Sequence, residues 1–207
     1  MKPLFLLLSI FPITSAYYFS PHHYLPNTAA TSLSSNATSE AKTVHAKASL
    51  LKTYVANKGL SQEYAFLINM RIPSGRNRFF IYDLTNDSIV TSGLVAHGSC
   101  VTTYLEKAQF SNVVGGGCSS MGRYKIGYSY KGRFGKAFKL HGLDSTNSNA
   151  FQRSVVLHSY TCIPESEVYP QVICNSLGCP MVSPSFLKKA SFYILTSKKP
   201  ICLWIYG

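Results

Sequence analysis

The sequence predicts a mainly β domain with one packed helix at its start, on three observations. Between residues 64 and 97 the chain breaks into short runs rich in aromatic and β-branched residues, parted by turn clusters such as "PSGRN" and "TND". Its middle, "FSNVVGGGCSSMGRYKIGYSYKGRFGKAFKLHG", holds too much glycine and serine for a long helix. Only residues 40–58 show extended helical spacing, with Val44, Ala48, Leu51 and Val55 on one face.

Taken in chain order, "MKPLFLLLSIFPITSA" has a lysine at position 2, an apolar run of about ten residues and a small residue at its end, the pattern of a cleavable secretory signal over residues 1–16. A membrane anchor needs roughly 20 apolar residues, so no stable span is expected after cleavage. Residues 17–39 carry no formal charge and are rich in Ser, Thr, Asn and Pro, the composition of a flexible tether. Ser39 is placed to cap the helix of residues 40–58, which Gly59 stops. "EYAFLINMRI", "RFFIYDL" and "SIVTSGLVAH" then read as a meander, with "YKIGYSYKG" and "KAFKLHG" as further strands. "FQRSVVLHS" is a strand that delivers His158 to its end, and "SPSFLKKASFYIL" begins as a short helix and ends as a strand. No internal repeat occurs, so residues 40–207 form one domain, large enough for its own core.

Charge narrows the partners. With 20 Lys and Arg against 8 Asp and Glu, the chain is strongly basic, which favours an anionic polymer. For an exported protein that polymer is in the cell wall, or is a lipid headgroup surface, rather than nucleic acid. The aromatics sit in strand-like apolar runs and not interleaved with basic residues, which also argues against a nucleic-acid module. Six cysteines in an exported chain imply disulfides. If one is a working nucleophile, five remain and one more must be free, for which Cys202 in the apolar end "ICLWIYG" is the candidate. Cys162 with Cys174 is the expected bridge, bracing the segment between His158 and Cys179.

The chemistry gathers at "ICNSLGCPMVSPS". A thiol attacks only as thiolate and needs a base or a helix terminus to ionise at neutral pH. Gly178 allows a sharp turn, and the backbone N–H groups of Gly178 and Cys179 are candidate oxyanion donors; losing one such donor typically costs about 100- to 1000-fold in rate. His158 precedes Cys179 in the chain, an order opposite to that of papain-like hydrolases. Close C-x-x-C or H-x-x-H pairs are missing from the sequence, so no metal is expected. "GGGCSS" lacks the lysine of a phosphate-binding P-loop, and no cofactor is expected.

The ordered landmarks "FFIYDL", "LVAHGS", "FSN", "SSMGRYKIG", "HGLD", "NAFQRSVVLHS" and "NSLGCP" together resemble the murein L,D-transpeptidase catalytic domain-like family, the Gly-Cys-Pro branch of the YkuD-like L,D-transpeptidases. The resemblance covers residues 64–184. It implies a β-sandwich of mixed sheets with the site in a cleft at its edge, His158 as base and Cys179 as nucleophile. It also implies peptidoglycan stem peptides as substrate: the thiol displaces a terminal D-alanine, and the resulting thioester passes its acyl group to an amine. Water as acceptor gives L,D-carboxypeptidase activity instead, and a non-catalytic, basic wall-binding protein is the alternative outside enzymology. The base is expected to be oriented by a backbone carbonyl. The broader family tends to carry His or Lys where Leu177 stands, Gly where Ser159 stands, and an arginine soon after the cysteine, where Pro180 and Met181 stand here. Arg153 or Arg123 is therefore the candidate for the donor carboxylate. Ser176, Ser159, Ser120, His141 and His97 complete the expected site, as substrate contacts or supports.

Overall fold

The computed structural model describes residues 28–207, with side chains from residue 38 onward. The signal-like segment and residues 17–27 of the expected tether lie outside the described residues. Two α-helices and nine strands follow in the order α1 (Thr28–Asn57), β1 (Tyr64–Asn69), β2 (Phe79–Asp83), β3 (Ser88–Gly93), β4 (Val95–Ala96), β5 (Gly122–Gly132), β6 (Gly135–Gly142), β7 (Val156–Ser159), β8 (Met181–Val182), α2 (Pro184–Thr196) and β9 (Cys202–Tyr206).

Helix α1 starts at Thr28, well before residue 40, so the last part of the expected tether is helical backbone and Ser39 lies inside the helix instead of capping it. Pro26 and Gly59 bracket a stretch that contains neither breaker. Ser, Thr and Asn cost only a few tenths of a kcal/mol each relative to Ala in a helix, so composition alone does not halt it. Its far end stops as expected: the Leu60 N–H reaches back to the Val55 carbonyl at 2.9 Å, closing the last turn.

All nine strands belong to one mixed sheet ordered β3-β2-β1-β9-β5-β6-β7-β8-β4. The pairs β1/β9 and β7/β8 are parallel and the rest antiparallel. The two edge strands, β3 and β4, are separated in sequence by Leu94 alone. A sheet whose opposite edges adjoin in the chain must curl, and the sandwich expected from the sequence is this one sheet folded onto itself. Phe66, Ile68, Phe79 and Ile81 from one limb share a core with Tyr124, Phe138, Leu140, Leu157 and Val182 from the other. Buried Arg78 fastens the curl, its guanidinium donating to the Val95 carbonyl from Nε at 2.9 Å and from a terminal nitrogen at 2.7 Å.

The outer face of β1, β2 and β9 is covered by α1, whose Val44, Ala48, Leu51 and Val55 pack on Ala65, Leu67, Phe80, Tyr82 and Cys202. Both faces of β1 are thus covered, which is why residues 65–69 are all buried. Helix α2 runs unbroken to Thr196 and not into a strand. Ser183 caps it by accepting the Phe186 N–H at 3.3 Å, Pro184 occupies its first position, and Phe186, Leu187, Ala190 and Ser191 are buried at helical spacing. The terminal strand comes later, as β9, which inserts at the centre of the sheet between β1 and β5.

Because Leu51 is 1 % exposed and Leu50 is 65 % exposed, Leu51→Ala is expected to cost about 2–5 kcal/mol in a urea titration. Leu50→Ala is expected to change stability by less than about 0.5 kcal/mol; equal losses would mean that α1 is not packed through this face.

Candidate active site

Cys179 sits two residues before β8, and the parallel register of β7 and β8 opposes His158 to Met181. Extending that register brings Cys179 level with Val156, two residues before His158 on the same face of β7. Accordingly the Val156 N–H donates to the Cys179 Sγ at 3.4 Å, and the thiol points toward the Ser154 carbonyl at 3.9 Å. The sulfur is not oxidised: Cys100 pairs with Cys118 and Cys162 with Cys174, leaving Cys179 partly exposed and Cys202 buried as the two free cysteines.

His158 and Cys179 line one cleft of about 970 Å³, together with Arg153, Ser176, Leu177, Tyr104, Tyr130, Phe134 and Tyr160. The His158 Nδ1 lies 3.2 Å from the Ser159 carbonyl. A carbonyl only accepts, so Nδ1 carries the proton and Nε2 is the basic nitrogen. The ring is held from the other side by Phe134, stacked on it with centroids 5.3 Å apart, while Phe134 meets Tyr160 edge-on. Burial holds His158 below its ordinary 6.5, partly offset by the Ser159 carbonyl. Burial also raises the Cys179 thiol above its ordinary 9.0, opposed by the Val156 N–H and by the charges of Arg153 and Lys139. The resting pair is therefore a neutral thiol and a neutral imidazole. Among the described residues no hydrogen bond joins them.

The loop that presents the thiol is held by its own serine. Ser176 Oγ accepts the Gly178 N–H at 3.1 Å and donates to the Cys179 carbonyl at 2.6 Å. With its N–H committed to Ser176, Gly178 has no proton to offer an oxyanion in this arrangement, which leaves the Cys179 N–H from the expected pair. Gly178 is required for a different reason: its φ is 112°, and a Cβ there would lie 2.7 Å from the Cys118 carbonyl.

Arg153 enters the cleft as a fixed cation. It donates to the Ser111 carbonyl at 2.8 Å, to the Ser120 hydroxyl and to the Cys118 carbonyl. Ser120 thus acts through Arg153, and its own hydroxyl donates to the Ser111 carbonyl at 2.8 Å. Arg123, the other candidate for a carboxylate contact, is turned away: it is bonded to Asp144 through Nε and a terminal nitrogen and lies over the Tyr54 ring at 4.0 Å.

His97 and His141 do not line the cleft. His97 is buried, accepting from Arg78 at 2.9 Å and donating to the Leu105 carbonyl at 3.1 Å; it supports the segment against which residues 175–178 lie. His141 stacks on Phe151 with centroids 5.2 Å apart and borders a separate groove. Ser159 contributes its carbonyl to His158 and is not itself among the cleft residues. Residue types alone did not point to Phe134 and Tyr160; the signal for the first is an aromatic between the glycines of "KGRFGK", where β5 turns into β6.

An unpaired thiol just before β8 and an imidazole of assigned tautomer on β7 thus share one cleft of a curled mixed sheet, beside an arginine. The chain belongs to the L,D-transpeptidase catalytic domain family, whose model matches residues 35–206. Among solved structures it is similar to an L,D-transpeptidase from Mycobacterium smegmatis, at 12 % identity and a TM-score of 0.42, over 70 % of this chain and 59 % of that one. It is also similar to the helical cell shape determining protein Pgp2 from Campylobacter jejuni, at 14 % identity and a TM-score of 0.43, over 70 % and 47 %. A third likeness is to the C442S mutant of the Enterococcus faecium L,D-transpeptidase, at 11 % identity and a TM-score of 0.40, over 70 % and 50 %. The chain thus spans roughly half to three fifths of the length of these proteins. No curated protein matches its sequence.

Burial, then Arg78, pushes His97 down to about 4 from its ordinary 6.5, with the Leu105 carbonyl opposing. Between those values the unfolded chain binds a proton that the folded chain refuses. Folding stability is therefore expected to fall as pH drops through 6.5 toward 4, and to be flat above 6.5 in this contribution. His97→Gln should shrink that acid loss in urea titrations at stepped pH. An unchanged pH slope would remove His97 as its source.

Proposed function

We propose that this protein is an exported cysteine L,D-transpeptidase acting on peptidoglycan stem peptides, with Cys179 as nucleophile and His158 as base. Residues 1–16 serve as its signal, and residues 40–207 are its catalytic domain. The observation that carries the reading is an unoxidised thiol sharing a cleft with an imidazole whose Nδ1–H is tied to a carbonyl, so that Nε2 is free to take a proton.

In the reaction the Cys179 sulfur adds to the carbonyl that precedes the terminal D-alanine, and its proton passes to His158 Nε2. The Cys179 N–H faces the developing oxyanion. Collapse breaks the C–N bond, His158 returns the proton to the leaving amine, and D-alanine departs from a thioester. An amine from a second stem then attacks the thioester, gives its proton to His158 and restores the thiol. The gap between sulfur and ring closes by rotation of the thiol away from Ser154 as substrate enters; catalytic hydrogen bonds are commonly loose before substrate binds. Arg153 fits the stem's terminal carboxylate, since its charge stands in the cleft with only neutral acceptors around it. Ser176 shapes the nucleophile loop, and Ser120 holds Arg153.

With purified chain and tetrapeptide muropeptides, Cys179→Ala is expected to release no D-alanine while keeping a native circular dichroism spectrum. His158→Gln should slow release by roughly 100- to 10,000-fold. Because only neutral His158 accepts a proton and its pKa is depressed, the acid limb of kcat/KM should fall below pH 6.5. Release by Cys179→Ala at the parental rate would remove Cys179 as nucleophile, absence of release by the parental chain would leave a wall-binding protein without turnover, and trimmed stems without cross-links would make the enzyme an L,D-carboxypeptidase. An acid limb centred above 7 would remove His158 as base.

A further inference from the structure

A second groove, of about 450 Å³, lies between the outer faces of β5 and β6 and the segment that joins α2 to β9. Lys125, Lys198 and Lys199 border it, with His141 and Tyr128, and no carboxylate lines it. The ion pairs of the described residues use Lys52, Arg76, Arg123 and His45. None uses the groove's lysines, although the chain has 8 acidic residues to distribute. The concentration of positive charge is felt locally: burial first, then Lys125 and Lys139, hold His141 below its ordinary value.

The groove and the cleft lie along the same face of β6. Along β6, Ala137, Lys139 and His141 alternate with the core residues Phe138 and Leu140 and so share one face. Ala137 opposes His158 in register and lines the cleft, whereas His141 opposes Lys125 and lines the groove. Lys139 stands between them, its ammonium over the rings of Tyr130 and Phe151 at 5.6 and 5.3 Å. Exposed aromatics accompany the charge, Tyr128 at 61 % and Phe151 at 51 % of their surface. Rings standing in water beside unpaired cations form a surface for a ligand with both flat apolar faces and negative groups.

We infer that this groove, bordered by His141, Lys125, Lys198 and Lys199 and flanked on β6 by Lys139, binds an anionic polysaccharide, its sugar faces on Tyr128 and its carboxylates or phosphates on the lysines. A polymer lying along this track passes beside the cleft, so binding would hold the chain on a polyanionic glycan while the cleft works. The inference does not rest on the thioester chemistry.

The test uses the full chain carrying Cys179→Ala, so that the result is independent of turnover, and calorimetric titration at low salt with polygalacturonate, poly-L-glutamate, neutral dextran and a single-stranded oligothymidylate. Binding to polygalacturonate should weaken as salt rises. The triple variant Lys125→Gln/Lys198→Gln/Lys199→Gln should lose about tenfold or more in affinity for it. A control of equal charge change at exposed sites elsewhere, Lys42→Gln/Lys107→Gln/Lys188→Gln, should lose less than about twofold. Tyr128→Ser should weaken polygalacturonate about threefold or more and leave poly-L-glutamate within about twofold. Equal losses in the two triple variants would show attraction by net charge alone and overturn the site. Tighter binding of the oligothymidylate than of polygalacturonate would make the groove a nucleic-acid surface, and a Tyr128→Ser loss shared equally by both polyanions would remove the sugar platform.

Discussion

The cleft depends on the mutual clamping of three chain segments that are remote in sequence: residues 97–99, 118–119 and 176–179. The Ser176 N–H donates to the His97 carbonyl and the Ser99 N–H to the Ser176 carbonyl, both at 2.9 Å. Buried Ser119 joins the third segment, accepting the Gly98 N–H at 3.0 Å and donating to the Gly178 carbonyl at 3.3 Å. This closeness is possible because position 98 has no side chain; a Cβ there would sit 2.2 Å from the Gly117 carbonyl and 2.8 Å from the Gly178 Cα. Each bond is worth only about 1 kcal/mol net. Together they hold the loop that carries Cys179, since breaking any of them strands a buried polar group. The disulfide between Cys100 and Cys118 lies at the edge of this clamp and ties two of the segments covalently.

The electrostatics of the molecule follow a related rule. Its two most informative arginines are held by neutral acceptors and not by carboxylates. Arg78, 1 % exposed, gives its protons to Val95, Ile72 and His97, and burial brings it down to about 10. Arg153 gives its protons to Ser111, Ser120 and Cys118. Carbonyls fix a guanidinium in place without cancelling its charge, so Arg153 still acts on whatever enters the cleft, including the Cys179 sulfur. Where a carboxylate does the holding, as Asp144 does for Arg123, the cation is spent on the fold. Burial moves the thiol up and the imidazole down, favouring the neutral form of each.

Much of the architecture is legible in residue pattern because period-2 apolar runs bounded by turns leave few other options. The segments containing β1, β2, β5 and β6 are all visible this way. The errors fall where a local pattern has two solutions. "SIVTSGLVAH" reads as one strand, but the sheet needs a corner at Leu94, so it becomes β3 and β4. "SFYIL" has the composition of a strand, yet it completes α2 because the preceding cap and the burial of Phe186, Leu187 and Ala190 commit the backbone to a helix. The Ser- and Thr-rich stretch before residue 40 carries no breaker, so helix α1 extends back through it. At the site, the roles of Ser176 and Ser120 as local supports were among the readings open in the sequence. The stacking of Phe134 on His158 was out of reach, since it links a turn to a strand that shares no sequence pattern with it.

The sequence by itself determined the local conformations and the inventory of reactive groups: two free cysteines once one is assigned to chemistry, a histidine at the end of an apolar strand, and a glycine before the thiol that tolerates φ above zero. Those properties are written in single residues and short periods. Tertiary structure alone decided which arginine reaches the cleft, which histidines are excluded from it, and that the Gly178 N–H is spent on Ser176. Such outcomes depend on strand order and register, set by burying both faces of β1 and β9 and by curling one sheet until β3 and β4 meet, and no window of neighbouring residues contains that information.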